Sequence, residues 1–138
     1  MEGIHAFLNQ TRGEQKQRAR QKQKYIEKIF DLRLSLLPNG ISYDRDKILT
    51  SPEDKLLKTF VKIEETEEKL RELVMEQKKA KCEIIKRVRK LDNQEREIIV
   101  RYYGSAEDIR QIAFRMKLST RHTFRLKEKA IKDLKEAE

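Results

Sequence analysis

The sequence predicts an all-α chain, and three observations lead there. Only 4 Gly and 2 Pro interrupt 138 residues, and 41% of those residues are charged, against about 25% in an ordinary globular domain. A chain rich in Glu, Lys, Arg and Leu favours long helices and leaves few residues for a broad core. Apolar residues recur every three or four positions along most of the chain, which marks one face of a helix. Capping residues stand just before several of these runs. The expected architecture is a long, charged, coiled-coil-like helix leading into a small C-terminal helical domain, with segments at 1–50, 51–91 and 92–138.

Residues Met1 to Gly13 are weakly patterned. Ile4, Phe7 and Leu8 could dock, but the stretch reads as a frayed terminus. A helix is expected from Glu14 to Leu37. Its first half is polar all round, with Arg12, Lys16, Arg18, Arg20, Lys22, Lys24 and Lys28 opposed only by Glu14 and Glu27. Two readings stand for it: a basic arm along a polyanion, or a solvated helix start. The second half carries Tyr25, Ile26, Ile29, Phe30, Leu34 and Leu37, and is expected to pack. Pro38-Asn39-Gly40 stops the helix, because Pro removes a donor and Asn-Gly favours a turn.

Ser51, Pro52 and Asp54 then form a strong helix start, with Pro at the first helical position. The helix they open runs to about Leu91 without Gly or Pro, roughly 60 Å at 1.5 Å per residue. Steps of four and three from residue 56 meet Leu56, Phe60, Ile63, Leu70, Val74, Ile84, Val88 and Leu91. Glu67, Gln77 and Lys81 interrupt that seam. This is a coiled-coil register with a weak middle; the helix 25–37 could cover one part of it and a second copy of the chain the rest. From Gln77 to Lys90 seven basic residues face only Glu83, a second stretch suited to phosphates or to the helix dipole.

The last third holds the clearest signals. Asp92 with Glu95, and Asp108 with Gln111, fit capping boxes, and Ser119 fits an N-cap. Ile109, Ile112, Ala113 and Met116 repeat at helical spacing, as do Leu126, Ala130, Ile131 and Leu134. Two short amphipathic helices joined by a tight turn, the second rich in Arg and Lys, form the signature of a helix-turn-helix. Arg121 and Arg125 lie four apart, so they share one face of the second helix and can enter one major groove. A guanidinium can satisfy both acceptors of a guanine edge. Arg110, Arg115 and Lys117 precede or form the turn, where they can hold phosphates and set register. From Ile109 to Lys127 six residues are basic and none is acidic. With a net charge of +9, the partner expected is double-stranded DNA.

The run DIRQIAFRMKLSTRHTFRLKEKAIKDL resembles region four of bacterial sigma factors in its apolar positions, its Ser and its closing Ala-Ile-x-x-Leu. The run ISYDRDKILTSPEDKLL before a long charged helix resembles small phage-encoded transcription regulators of the RinA and ArpU kind. The resemblance implies a sequence-specific regulator acting with the host RNA polymerase holoenzyme in the cytoplasm of a bacterial host cell. It implies base contacts from Thr120, Arg121 and Arg125, with Ser119, His122 and Lys127 beside them toward phosphate. Two positions depart from the pattern. Lys117 stands where Gly commonly makes the turn, and Thr123 where an apolar residue packs inward.

Phe124 has two readings, a packing contact or a thymine methyl contact. Tyr102 and Tyr103 are expected to close the small core, with stacking on nucleic acid as the minority reading. A single cysteine, Cys82, excludes an intrachain disulfide, and a surface position on the long helix is expected for it. No apolar run approaches the roughly 20 residues of a membrane span, and no signal-peptide core opens the chain, so no membrane partner is expected. His5 and His122 are isolated, and no phosphate-cradling Gly loop or nucleophile–base pair appears. Neither enzyme activity, nor a metal, nor another cofactor is therefore expected. A second reading from another class is an assembly protein that joins a helix-turn-helix to a coiled coil, as small DNA-packaging subunits of the terminase kind do.

Overall fold

The computed structural model describes residues 3–37 and 52–138. Among these residues five α-helices follow one another: α1 (Ile4–Leu34), α2 (Pro52–Arg87), α3 (Asn93–Ile99), α4 (Ile109–Met116) and α5 (Thr120–Glu136). A π-helical turn, Val100–Gly104, continues α3. No strand occurs among the described residues, so the all-α expectation holds. The turn at Pro38-Asn39-Gly40, the loop to Thr50 and the Ser51 cap lie outside the described residues.

The chain packs as two compact units. One joins Met1–Ala19 to Glu76–Glu138, and the other is Arg20–Met75. The first unit is built on Ile4, Leu8, Ile84, Val88, Ile99, Tyr103, Ala130, Ile131 and Leu134, with Phe7, Leu91, Val100 and Tyr102 against them. Thus the start of α1, read as frayed, is part of the core. Its helix begins ten residues before the expected start at Glu14, and Leu8 is fully buried. The Glu138 carboxylate accepts from the Ile4 N–H, which satisfies one of the orphan amides at the α1 start. The Arg87 guanidinium lies 4.0 Å over the Phe7 ring.

The π turn shows why α1 fits here. Five-residue spacing closes it, with the Ser105 N–H donating to the Val100 carbonyl at 3.1 Å. The last carbonyls of a helical run lack an intrahelical donor and are open to others. Gln15, buried on α1, donates to the Gly104 carbonyl at 2.7 Å and to the Gln77 carbonyl at 3.1 Å. At Gly104 an added Cβ would stand 3.3 Å from Lys81 Cγ, so the Lys81 side chain would have to give by a few tenths of an ångström.

Two expected features of this unit change. α2 ends at Arg87 rather than Leu91, with the Leu91 N–H turning back to the Val88 carbonyl at 3.2 Å. Asp92 caps α3 in extended geometry but without a side-chain bond. The capping box with Glu95 does not form, because Glu95 is buried and pairs instead with Lys129 on α5 at 3.5 Å. A tertiary ion pair thus displaces the local cap.

The second unit pairs the later half of α1 with the earlier half of α2. Ile29, Ile63 and Thr66 are buried, and Arg33 Nη2 donates to Glu67 Oε1 at 2.6 Å. The packing expected for residues 25–37 is met only in part. Ile26, Phe30, Leu34 and Leu37 remain exposed, as do Leu56, Leu57, Phe60 and Val61 on α2. The seam read along α2 is therefore buried at Ile63 here, and at Ile84 and Val88 in the first unit. Cys82 is exposed, as its helix-surface reading expects. Among the described residues no helix is long and apolar enough to cross a membrane.

Candidate nucleic-acid interface

The turn between α4 and α5 is three residues long, Lys117 to Ser119. α4 opens on the expected capping box, in which the Asp108 N–H donates to Gln111 Oε1 at 3.1 Å. It buries Ile112 and Ala113 and closes on Lys117, whose φ of 58° is left-handed. That conformation is why the pattern usually carries Gly there, and here Lys117 adopts it. The Leu118 N–H then returns to the Ala113 carbonyl at 2.9 Å. Ser119 caps α5, its Oγ accepting from the His122 N–H at 3.1 Å.

Thr123 takes the inward position despite its hydroxyl. It is fully buried, and its Oγ1 donates to the Ser119 carbonyl at 2.9 Å, so no polar group is left unsatisfied. With Thr123, Ala130, Ile131 and Leu134 turned inward, α5 presents its other face to solvent. Thr120, Arg121, His122 and Arg125 are all exposed, and so are Arg110 and Lys117. No carboxylate lies within ion-pair distance of Arg110, Lys117, Arg121 or Arg125 among the described residues. Six of the nine residues singled out from sequence thus share an exposed surface around the turn, with Ser119 holding the helix start.

The other two have different surroundings. Arg115 pairs with Glu107 at 3.1 Å, and Arg101 reaches the same carboxylate at 3.5 Å. The Arg115 side chain is still 60% exposed, but its charge already has a partner. Lys127 is turned away from the exposed face. Its side chain is 12% exposed, with Nζ 4.4 Å from the Tyr102 ring, 5.2 Å from the Phe124 ring and 3.6 Å from Glu128. A phosphate role for Lys127 does not fit that placement; it clamps two rings instead.

Arg12 is the functional-looking residue whose role sequence reasoning missed. Its guanidinium lies 3.8 Å over the Tyr102 ring and donates to the Tyr102 carbonyl and, at 3.0 Å, to the Glu107 carbonyl. It also approaches Asp108 at 3.9 Å, and only 12% of its side chain is exposed. Arg12 is thus a structural strut between α1 and the lead-in to α4, not part of a free basic arm. Arg18 is likewise engaged, with Gln15, Glu14 and Glu76 at 2.9, 3.6 and 3.7 Å. Tyr102 and Tyr103 meet edge to face at 4.8 Å, as core closure requires. Burial, together with nearby Tyr102 and Glu128, pushes the Tyr103 phenol up to about 12.

Two exposed aromatics flank the basic surface. Phe114 on α4 is 84% exposed and Phe124 on α5 is 49% exposed. Phe124 lines a depression with Asp108, Ile109, Arg110, Thr120 and Arg121. No protein-family model, curated protein or solved structure matches the chain.

Proposed function

We propose that this protein is a non-catalytic, sequence-specific DNA-binding regulator of transcription, holding duplex DNA with α4, the turn and the first turns of α5. The observation that carries this reading is where the charge sits. The unit containing α4 and α5 has 21 Lys and Arg against 13 Asp and Glu, whereas the other unit has 12 against 11. Eight of the nine net charges therefore belong to the unit with the exposed, unpaired Arg110, Lys117, Arg121 and Arg125. A concentrated cationic surface of this kind favours phosphates, and a projecting helix with two Arg on one face suits a major groove.

In this reading Thr120, Arg121 and Arg125 meet base edges, while Arg110, Lys117 and His122 meet the backbone. The sigma-like sequence pattern favours a phage regulator that recruits host RNA polymerase holoenzyme. A second reading, an assembly protein of the terminase small-subunit kind, draws support from the exposed apolar residues of the Arg20–Met75 unit. A second copy of the chain is the partner that such a surface suits in either case. Duplexes selected from a random library by the purified full-length protein test the main reading. Arg121→Ala and Arg125→Ala should lose preference for the selected site while retaining non-specific binding. An unchanged footprint and preference in both variants would reject the assignment of α5. A large ring oligomer without site preference would favour the assembly reading.

A further inference from the structure

We infer that the depression between the starts of α4 and α5 is a subsite for the 5-methyl edge of a thymine, with Phe124 as the residue that reads it. The inference rests on the proposed DNA-binding role and deepens it. The lining surface is mostly apolar, with charged residues among those that form it. Ile109 and Phe124 supply the apolar surface, Thr120 adds its methyl group, and Arg110 and Arg121 flank them. The space measures about 510 Å³, so it admits the edge of a base and not only a methyl group.

Three features single out Phe124. It lies four residues after Thr120, three after Arg121 and next to Arg125, so its ring stands one turn along from the residues proposed to meet bases. It is half exposed, so its ring is open to a ligand. Its ring is also held, because the Lys127 ammonium sits between it and Tyr102. Lys127 is then a positioning residue for the reader and not a phosphate contact.

Charge selects the occupant. An apolar notch that Arg110 and Arg121 also line favours a ligand that is anionic around an apolar edge. The one carboxylate on the lining, Asp108, is turned to the capping box of α4. In a major groove, thymine alone among the four bases of DNA presents a methyl group.

The test replaces, one at a time, each thymine of the library-selected duplex with deoxyuridine, which removes the methyl and keeps every hydrogen-bonding group. One replacement should weaken binding of the unaltered protein roughly three- to five-fold, as loss of one buried methyl implies. Phe124→Ala should bind the thymine and deoxyuridine duplexes alike. Phe124→Leu, which keeps an apolar contact, should retain part of the difference. Unchanged melting temperatures in both variants would tie the effect to contact and not to unfolding. If specific binding persists but no thymine is methyl-sensitive, or if Phe124→Ala keeps the full sensitivity, the subsite is overturned and the DNA-binding reading survives. Absence of any duplex binding would overturn both.

Discussion

Two residues show how single positions carry the fold near the interface. Lys117 closes α4 at φ 58°, a region that costs an L-residue roughly 1–2 kcal/mol. Glycine would relieve that strain and lose some of the gain to unfolded-chain entropy. Lys117→Gly should therefore raise stability by about 0.5–1 kcal/mol in urea unfolding while weakening DNA binding through the lost charge. A lower midpoint for the glycine variant would show that the Lys side chain makes a contact worth more than the strain. Tyr103 supplies a second residue-scale expectation. Its phenol is pushed up to about 12 in the folded chain, above the ordinary value near 10. Between those values the unfolded chain loses the proton and the folded chain keeps it, so stability falls as pH rises through that window. Below about 10 the contribution is complete. Tyr103→Phe should thus show a shallower loss of melting temperature between pH 10 and 12 than the parent, and equal slopes would remove Tyr103 as the cause.

At the scale of elements, α1 is the departure from expectation that matters most. Its first half completes the core of the unit that holds α4 and α5, through Ile4, Leu8 and the Gln15 and Arg12 bonds to the π turn and its exit. Leu8→Ala empties a fully buried site and should cost about 2–5 kcal/mol. A change below 0.5 kcal/mol in denaturant unfolding would return this stretch to a frayed end. The signal was present in the sequence. Ile4, Leu8, Thr11 and Gln15 step by four, three and four, a helix face that only its two apolar members advertise. Thr11 and Gln15 are polar, and what buries Gln15 is a pair of carbonyls 62 and 89 residues away, which local pattern cannot reveal. The same limit explains the failed cap at Asp92, where Lys129 claims Glu95. Elements whose cues are local were legible: the Asp108–Gln111 box, the Ser119 cap and the inward row of α5 all stand where spacing put them. Of the candidate interface, exposure at Thr120, Arg121 and Arg125 follows from that same row. Lys127 does not, because a lysine on the edge of the buried face is drawn to Tyr102 by a contact across 25 positions.

Most of the uncovered large apolar residues lie in the unit with little net charge, while Phe114 and Phe124 lie with the cations. Phe30, Leu57 and Phe60, each about half exposed or more, belong to the nearly neutral Arg20–Met75 unit. The cations around the turn belong to the other. For the basic first half of α1, this distribution favours the solvated helix start over the basic arm. Arg12 and Arg18 are held by partners within the charged unit, so they have little charge to offer a ligand. Arg20 and Lys24 fall in the unit whose basic and acidic residues nearly cancel. Phosphate binding should therefore depend on the surface around the turn and not on the arm. Each phosphate neutralised releases counterions and contributes about 0.9 to the slope of log affinity against log salt. Arg110→Ala and Lys117→Ala should each lower that slope by about 1. Arg20→Ala with Lys24→Ala should leave it unchanged within about 0.3, as expected of residues that neutralise no phosphate. Titrations of one duplex at four or five salt concentrations would measure all three. A drop near 2 in the Arg20, Lys24 double variant would mean that the arm lies on DNA after all, and that the near-neutral balance of its unit hides a local cationic stripe.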